Sequence, residues 1–473
     1  MILENFSRIA AVPRESGHEE KIREFITSWA SEHGIRYAVD AAGNVVLYKD
    51  PTPGHENTPA VALQGHMDMV CVKRPGSGHD FRTDPIEIVR DGDIIRAKDT
   101  SLGADNGIAL ALMMDLFTDP GFVHGPLEGI CTVNEEVGLS GAKGLDPSLI
   151  HARMLINLDS EEEGVIYIGC AGGSDVKGVF RAEKKPCCEK WTGLRLSVGG
   201  LKSGHSGGKI HLQRANAIKV VARMLHQAGK QAEYRLASFD GGSKHNAIPA
   251  QAEAVFAVKQ ENADAFRACL ETYAGAMLAE NRVEEPGMTI EVTRATVNSA
   301  YCPEDSKKFV NSLFMAPHGV LAWSKSLPGI VQTSCNLAIV RTEGDEIHLL
   351  TSQRSSVESQ RDAASERMAM ILATSGAKME IGNGYPAWTP DPDSALARLC
   401  ADVWKRTTGR EATVTAIHAG LECGIINSRV PGMDSVSIGP DMKNVHTVDE
   451  CLNLKSAERI ERYVRDILGE IAK

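Results

Sequence analysis

The chain has 473 residues, 62 of them acidic and 51 basic, for a net charge of −11. That length suits two or three domains with a large core, and 42% hydrophobic against 24% charged residues excludes global disorder. A dispersed acidic surplus offers no dense cationic footprint for phosphates, which argues against a nucleic-acid partner.

In chain order, the first eight residues lack a basic segment followed by an apolar one, so no export signal is expected. Residues 16–34 read as an amphipathic helix: Ser16 and Glu19 have capping-box spacing, and Ile22, Phe25, Ile26 and Trp29 recur on one face before Gly34. Short β-branched runs at 44–48, 60–63, 130–133 and 154–158 alternate with a helix over 107–117, the pattern of an α/β domain. The longest apolar run, 107–114, ends at Asp115 and is too short to cross a bilayer. A cytoplasmic protein without membrane partners is expected. The eleven cysteines include no CxxC pair, which speaks for reduced, buried thiols and against a thiolate zinc site.

A charged, proline-bearing stretch at 184–190 and a second proline-rich stretch at 383–392 punctuate the chain. They suggest a catalytic domain over 1–185 and 388–473, interrupted by an insert over 186–387. Within the insert, strands at 194–198, 252–258, 319–323, 330–341 and 346–352 and helices at 213–226 and 263–280 suggest two α+β halves of one topology. Helices over 394–407 and 456–472 flank a strand at 435–438; the last helix carries an apolar stripe through Ile460, Val464, Ile467 and Ile471.

Metal ions that activate water are held by imidazoles and carboxylates at the mouths of strands. His66 and Asp68 follow the strand at 60–63, Glu135 and Glu136 follow 130–133, Asp159 follows 154–158, His446 follows 435–438, and Asp105 precedes the helix at 107–117. Each is unremarkable alone; together they would converge at one edge of a parallel sheet. Asp105, Glu136 and Asp159 supply three negative charges, so two divalent ions leave one surplus positive charge, which a hydroxide neutralises. Without metal, three adjacent carboxylates repel and one must take a proton. Two ions about 3.5–4 Å apart can share Asp105 and lower the pKa of a water towards about 7. Glu135 is then free to act as general base, and Asp68 can hold the second ring nitrogen of His66.

The segments Gly65-His66-Met67-Asp68, Gly103-Ala104-Asp105-Asn106-Gly107, Asn134-Glu135-Glu136-Val137-Gly138, Asn157-Leu158-Asp159 and Val445-His446-Thr447 resemble the di-zinc metallopeptidases of M20 type, most closely the aminoacyl-histidine dipeptidase branch. The resemblance implies a three-layer α/β catalytic domain with a mostly parallel sheet and an inserted α+β lid domain. It implies two zinc ions, with cobalt or manganese as substitutes: one on His66 and Asp159, the other on Glu136 and His446, with Asp105 bridging. Glu135 becomes the general base, Asp68 the orienter of His66, and a cis peptide joins Asp105 to Asn106. In the lid, His205 would stabilise the oxyanion, Asn246 and Arg354 would hold substrate polar ends, and Gly420 would offer backbone groups at the cleft floor. A guanidinium such as that of Arg354 suits bidentate capture of a carboxylate. The implied activity is hydrolysis of dipeptides, Xaa-His dipeptides among them, with a small peptide as partner and a homodimer left open.

Two other functions compete. A related di-metal amidohydrolase would act on N-acyl amino acids or short peptides. Gly204-His205-Ser206-Gly207-Gly208 also fits the pattern of a serine-hydrolase elbow, but Ser206 lies eight residues past the predicted strand and well before the helix. Gly169-Cys170-Ala171-Gly172-Gly173-Ser174 lacks the Lys-Ser/Thr of a phosphate loop.

Overall fold

The computed structural model describes residues 2–473. The chain divides into two compact units. One comprises residues up to Cys170 with Trp388–Ala416 and Leu421–Lys473, the other Ala171–Ala387 with Ile417–Gly420. The division falls upstream of the expected one after residue 185. Strand Gly172–Arg181 pairs along its whole length with Glu346–Ser355, and ten residues of ladder place it in the second unit's sheet.

The first unit is built on an eight-stranded mixed sheet. Its centre is parallel, in the spatial order Leu127–Thr132, Val61–His66, Met154–Asn157, Asp434–Ser437. Antiparallel strands flank it, including Arg36–Val39 and Val45–Lys49 on one side and Val165–Cys170 on the other. Val61–His66 and Leu127–Thr132 are buried at every position, so both faces are covered and the unit has three layers. Helix Ala104–Thr118 lies against strand Val61–His66 at Gly65, where a Cβ would meet Asn106 Oδ1 at 2.4 Å and Ala109 Cβ at 2.6 Å. The last helix, Leu454–Ile471, buries Ile460, Tyr463, Val464, Ile467 and Leu468, while Ile471 at the end of the predicted stripe is half-buried.

The predicted helix over 16–34 is shorter, Glu20–Glu32, and the capping box does not form. Ser16 Oγ instead donates to Asp68 Oδ2 at 2.8 Å. Glu19 Oε1 accepts from the amides of Gly17 and Asn134. Tertiary partners have taken both capping side chains.

The second unit carries a continuous nine-stranded sheet. Trp191–Gly199, Ala217–Ala228, Tyr234–Gly241, Ala252–Lys259, Ala263–Asn281 and Thr289–Arg294 form one βαββαβ half. Gly172–Arg181, Pro303–Met315, Val331–Glu343, Glu346–Ser355, Glu358–Ala373 and Lys378–Ile381 form the other. In each half the strands lie in the order 4-1-3-2, and the halves join antiparallel through their second strands at Gly241 and Val340. The first half is inserted after the opening strand of the second, which is why the repeat of topology leaves no period in the sequence. No helix among the described residues is long and apolar enough to cross a membrane.

Candidate functional site

The four central strands of the first unit run parallel, so their carboxyl ends share one edge of the sheet. His66 ends one strand, Glu135 and Glu136 follow the next, and Asp159 lies two residues past a third. His446 lies in the hairpin loop between Met442–Lys443 and Cys451–Asn453. Asp105 sits in the first turn of helix Ala104–Thr118, with non-helical backbone and a cis bond to Asn106.

Side-chain donors meet there in two sets. His66 Nε2 is 3.0 Å from Asp105 Oδ1 and 3.4 Å from Asp159 Oδ1. His446 Nε2 is 3.0 Å from Asp105 Oδ2 and 3.0 Å from Glu136 Oε1. Each imidazole therefore faces two carboxylates, and Asp105 gives one oxygen to each set. Ligand atoms of His66, Asp105 and Glu136 all lie within 4.8 Å of one another. Glu136 Oε1 is buried without a hydrogen bond despite its nearness to His446. A buried acceptor left unpaired is costly, and a cation is the partner that this oxygen, two imidazoles and the adjoining carboxylates fit.

Electrostatics mark the same cluster. Burial opposes charge on His66, but Asp159, Asp105 and Asp68 outweigh it and raise its pKa. The carboxylates of Asp105 and Glu136, each 3.0 Å from Nε2, raise His446 to about 11. Burial pushes Asp159 up to about 7 against the pull of His66. Glu135 rises well above the usual carboxylate range, chiefly through burial, with Asp159, Glu422 and Glu136 adding repulsion against the attraction of His66. A carboxyl raised in this way holds a proton more tightly than a free carboxylate, which suits a group that takes one up.

Asp68 serves two neighbours. Its backbone oxygen and Oδ1 lie 3.1 and 3.3 Å from His66 Nδ1, so the second ring nitrogen faces a carbonyl as well as the expected carboxylate. The same carboxylate accepts from the amides of Glu135 and Glu136 and from Ser16. Burial works against its charge, but these partners hold Asp68 down at about 2. Asn106 spans two loops, accepting from the His66 amide at 3.1 Å and donating to Leu158 O at 2.9 Å.

The second unit holds the remaining candidates. His205 Nδ1 accepts from the amides of Gly207 and Gly208 at 3.2 and 3.0 Å, which puts the ring proton on Nε2. Burial, then the charge of Arg354, lowers His205 to about 4, so it is a neutral donor. Arg354 is 7% exposed and donates through Nη1 to Tyr385 Oη at 2.8 Å, while its Nε is buried and unpaired. Gly420 packs on the Tyr385 ring, where a Cβ would stand 3.0 Å from Cε2. The backbone oxygen of Asn246 accepts from Ser206 N at 2.8 Å. Ser206 lies on no strand-to-helix elbow: its strand ends at Gly199, and the next helical turn, Ile210–Leu212, is 3-10.

The sequence did not single out Arg14, Glu422 as a side chain, or Glu450. Arg14, 2% exposed, donates to Met67 O, Asp68 O and Gly103 O. Glu422 is fully buried; its Oε2 accepts from Gln64 and Thr132, and burial raises it to about 7. Glu450 lies four residues past His446, the one sequence signal that could have flagged it.

The model of "Peptidase family M20/M25/M40" matches residues 62–470. The cytosol non-specific dipeptidase of Escherichia coli (strain K12) is 36% identical over 467 residues, covering 98% of this chain and 96% of that one. The crystal structure of aminoacylhistidine dipeptidase from Vibrio alginolyticus superposes with a TM-score of 0.92 at 35% identity, covering 99% and 96%. A tripeptidase from Staphylococcus aureus shares the fold at a TM-score of 0.59 and 17% identity, covering 100% and 98%. With the match extending over most of its length, the chain belongs to the peptidase family M20/M25/M40.

Proposed function

We propose that this peptidase cleaves dipeptides, Xaa-His dipeptides among them, using two zinc ions. The observation that carries the reading is the pair of donor sets sharing Asp105. Similarity to dipeptidases over nearly the whole chain supports the substrate class. His66, Asp159 and Asp105 Oδ1 would hold one ion, and His446, Glu136 and Asp105 Oδ2 the other; cobalt or manganese suits the same nitrogen and oxygen donors. When bound, the ions supply Lewis acidity to the scissile carbonyl and acidity to the attacking water.

The chain's own groups do the rest. Glu135 accepts the proton that water loses on attack and delivers it to the nitrogen of the leaving amine. Asp68 fixes the ring of His66 and the amides of residues 135 and 136. His205 Nε2–H donates to the oxygen that becomes negative. Arg354, with donors in a planar fork, takes the substrate carboxylate, and Asn246 and backbone at Gly420 hold its polar ends. A cytosolic location agrees with the description of the Escherichia coli relative.

The test is hydrolysis of a panel of dipeptides, tripeptides and N-acetyl amino acids before and after chelation. Turnover of dipeptides that a chelator abolishes and zinc restores is expected. Preference for N-acetyl amino acids would move the assignment to an amidohydrolase, and inactivation by a fluorophosphonate with indifference to chelation would move it to Ser206.

A further inference from the structure

Helix Ala104–Thr118 begins without a side-chain cap, because Gly103 occupies the capping position at φ 67. The amides at a helix start need acceptors. Here one carboxylate from the far end of the chain supplies them. Glu450 Oε2 accepts from Leu102 N and Gly103 N at 2.8 and 2.9 Å, and Oε1 accepts from Ala104 N and Asp105 N at 2.8 and 3.3 Å. Glu450 is 2% exposed.

The same residue closes the hairpin loop that bears His446: its amide donates to Thr447 O at 3.2 Å. The next residue, Cys451, starts the strand that pairs with Ile94–Ala97. Arg14 completes the frame from the other side, donating to Gly103 O and to the carbonyls of Met67 and Asp68. Gly103 and Gly107 both lie against its guanidinium, leaving no room there for a Cβ.

We propose that Glu450 is a positioning residue that fixes the Asp105 carboxylate relative to His446, so that each oxygen of Asp105 meets its own imidazole. The proposal rests on the reading of the two donor sets as metal sites. Its chemistry is that of an outer partner: both oxygens of Glu450 are taken by backbone amides, and it acts through the backbone of Asp105 and the loop of His446. Loss of such a partner lowers metal affinity or activity by about 10–100-fold.

The test compares zinc dissociation constants, kcat and KM of the wild type, Glu450→Gln and Glu450→Asp, with circular dichroism and thermal melting of each metal-free protein. Glu450→Gln keeps the shape but turns one acceptor into a donor facing amides. A folded Glu450→Gln with zinc Kd raised about 10–100-fold, kcat lowered and KM near wild type is expected, with partial recovery in Glu450→Asp. If Glu450→Gln does not fold, Glu450→Asp alone is read by the same zinc titration, a weaker Kd being expected. A folded variant that melts lower but binds zinc and turns over as the wild type does would overturn the proposal, leaving Glu450 a helix cap. Absence of zinc binding in the wild type would instead overturn the metal reading beneath it.

Discussion

Glu135 and Asp68 are adjacent in space yet differ in proton affinity. Asp68 accepts from two amides and a hydroxyl beside an imidazole, and these partners outweigh burial and hold its pKa down at about 2. Glu135 has burial and neighbouring carboxylates against it. The contrast suits the positioning duty proposed for Asp68 and the proton transfer proposed for Glu135. Glu135→Ala should lower kcat about 10²–10⁴-fold, the usual worth of a general base, while metal analysis finds the wild-type content; near-normal turnover would contradict the role. Asp68→Asn should weaken zinc retention and activity about 10–100-fold, read by competition with a chromogenic chelator. His205 is lowered to about 4, His318 to about 4 and His418 to about 3, each chiefly by burial. Their folded pKa values lie below the unfolded value of about 6.5, so the unfolded chain takes up these protons first. The stability they contribute is whole above pH 6.5 and is lost as pH falls from there through about 4, and for His418 through about 3. Urea unfolding across that window should show His318→Gln losing less stability on acidification than the wild type.

Among the elements, helix Ala104–Thr118 and strand Val61–His66 matter most, because together they present Asp105 and His66. Gly65 lets them touch, and Asn106 bonds to the strand at the same point. Gly65→Ala should force the helix outward at a cost of about 1–3 kcal/mol, the usual penalty for overpacking, seen as a lower urea midpoint together with reduced zinc content. Strand-and-helix alternation was legible in the sequence because buried parallel strands are short apolar runs, and four of the five expected ligands sit at or just past such runs or at a helix start, whereas His446 lies in the hairpin loop after Met442–Lys443. The misread helix start at Ser16 has a physical reason: its hydroxyl and the Glu19 carboxylate bond to residues 52 and 115 positions away. Glu450 escaped notice for the same reason, since its acceptor role depends on amides 345 to 348 positions away.

At the scale of the whole molecule, the first unit collects its site from residues between Arg14 and Glu450, so segments on both sides of the inserted unit must come together before the donors meet. The second unit arises from one topology used twice, nested instead of tandem. Nesting hides its boundary: strand Gly172–Arg181 is contiguous in sequence with the first unit but finds its ladder partner some 175 residues on. The serine pattern at Ser206 shows the converse, a local motif without its surrounding elements. The central claim, two cations sharing Asp105, is met most directly by anomalous diffraction at the zinc edge from crystals of active, zinc-loaded protein. The account predicts two peaks about 3.5–4 Å apart, one beside His66 and Asp159, the other beside His446 and Glu136. A single peak, or peaks away from Asp105, would contradict it.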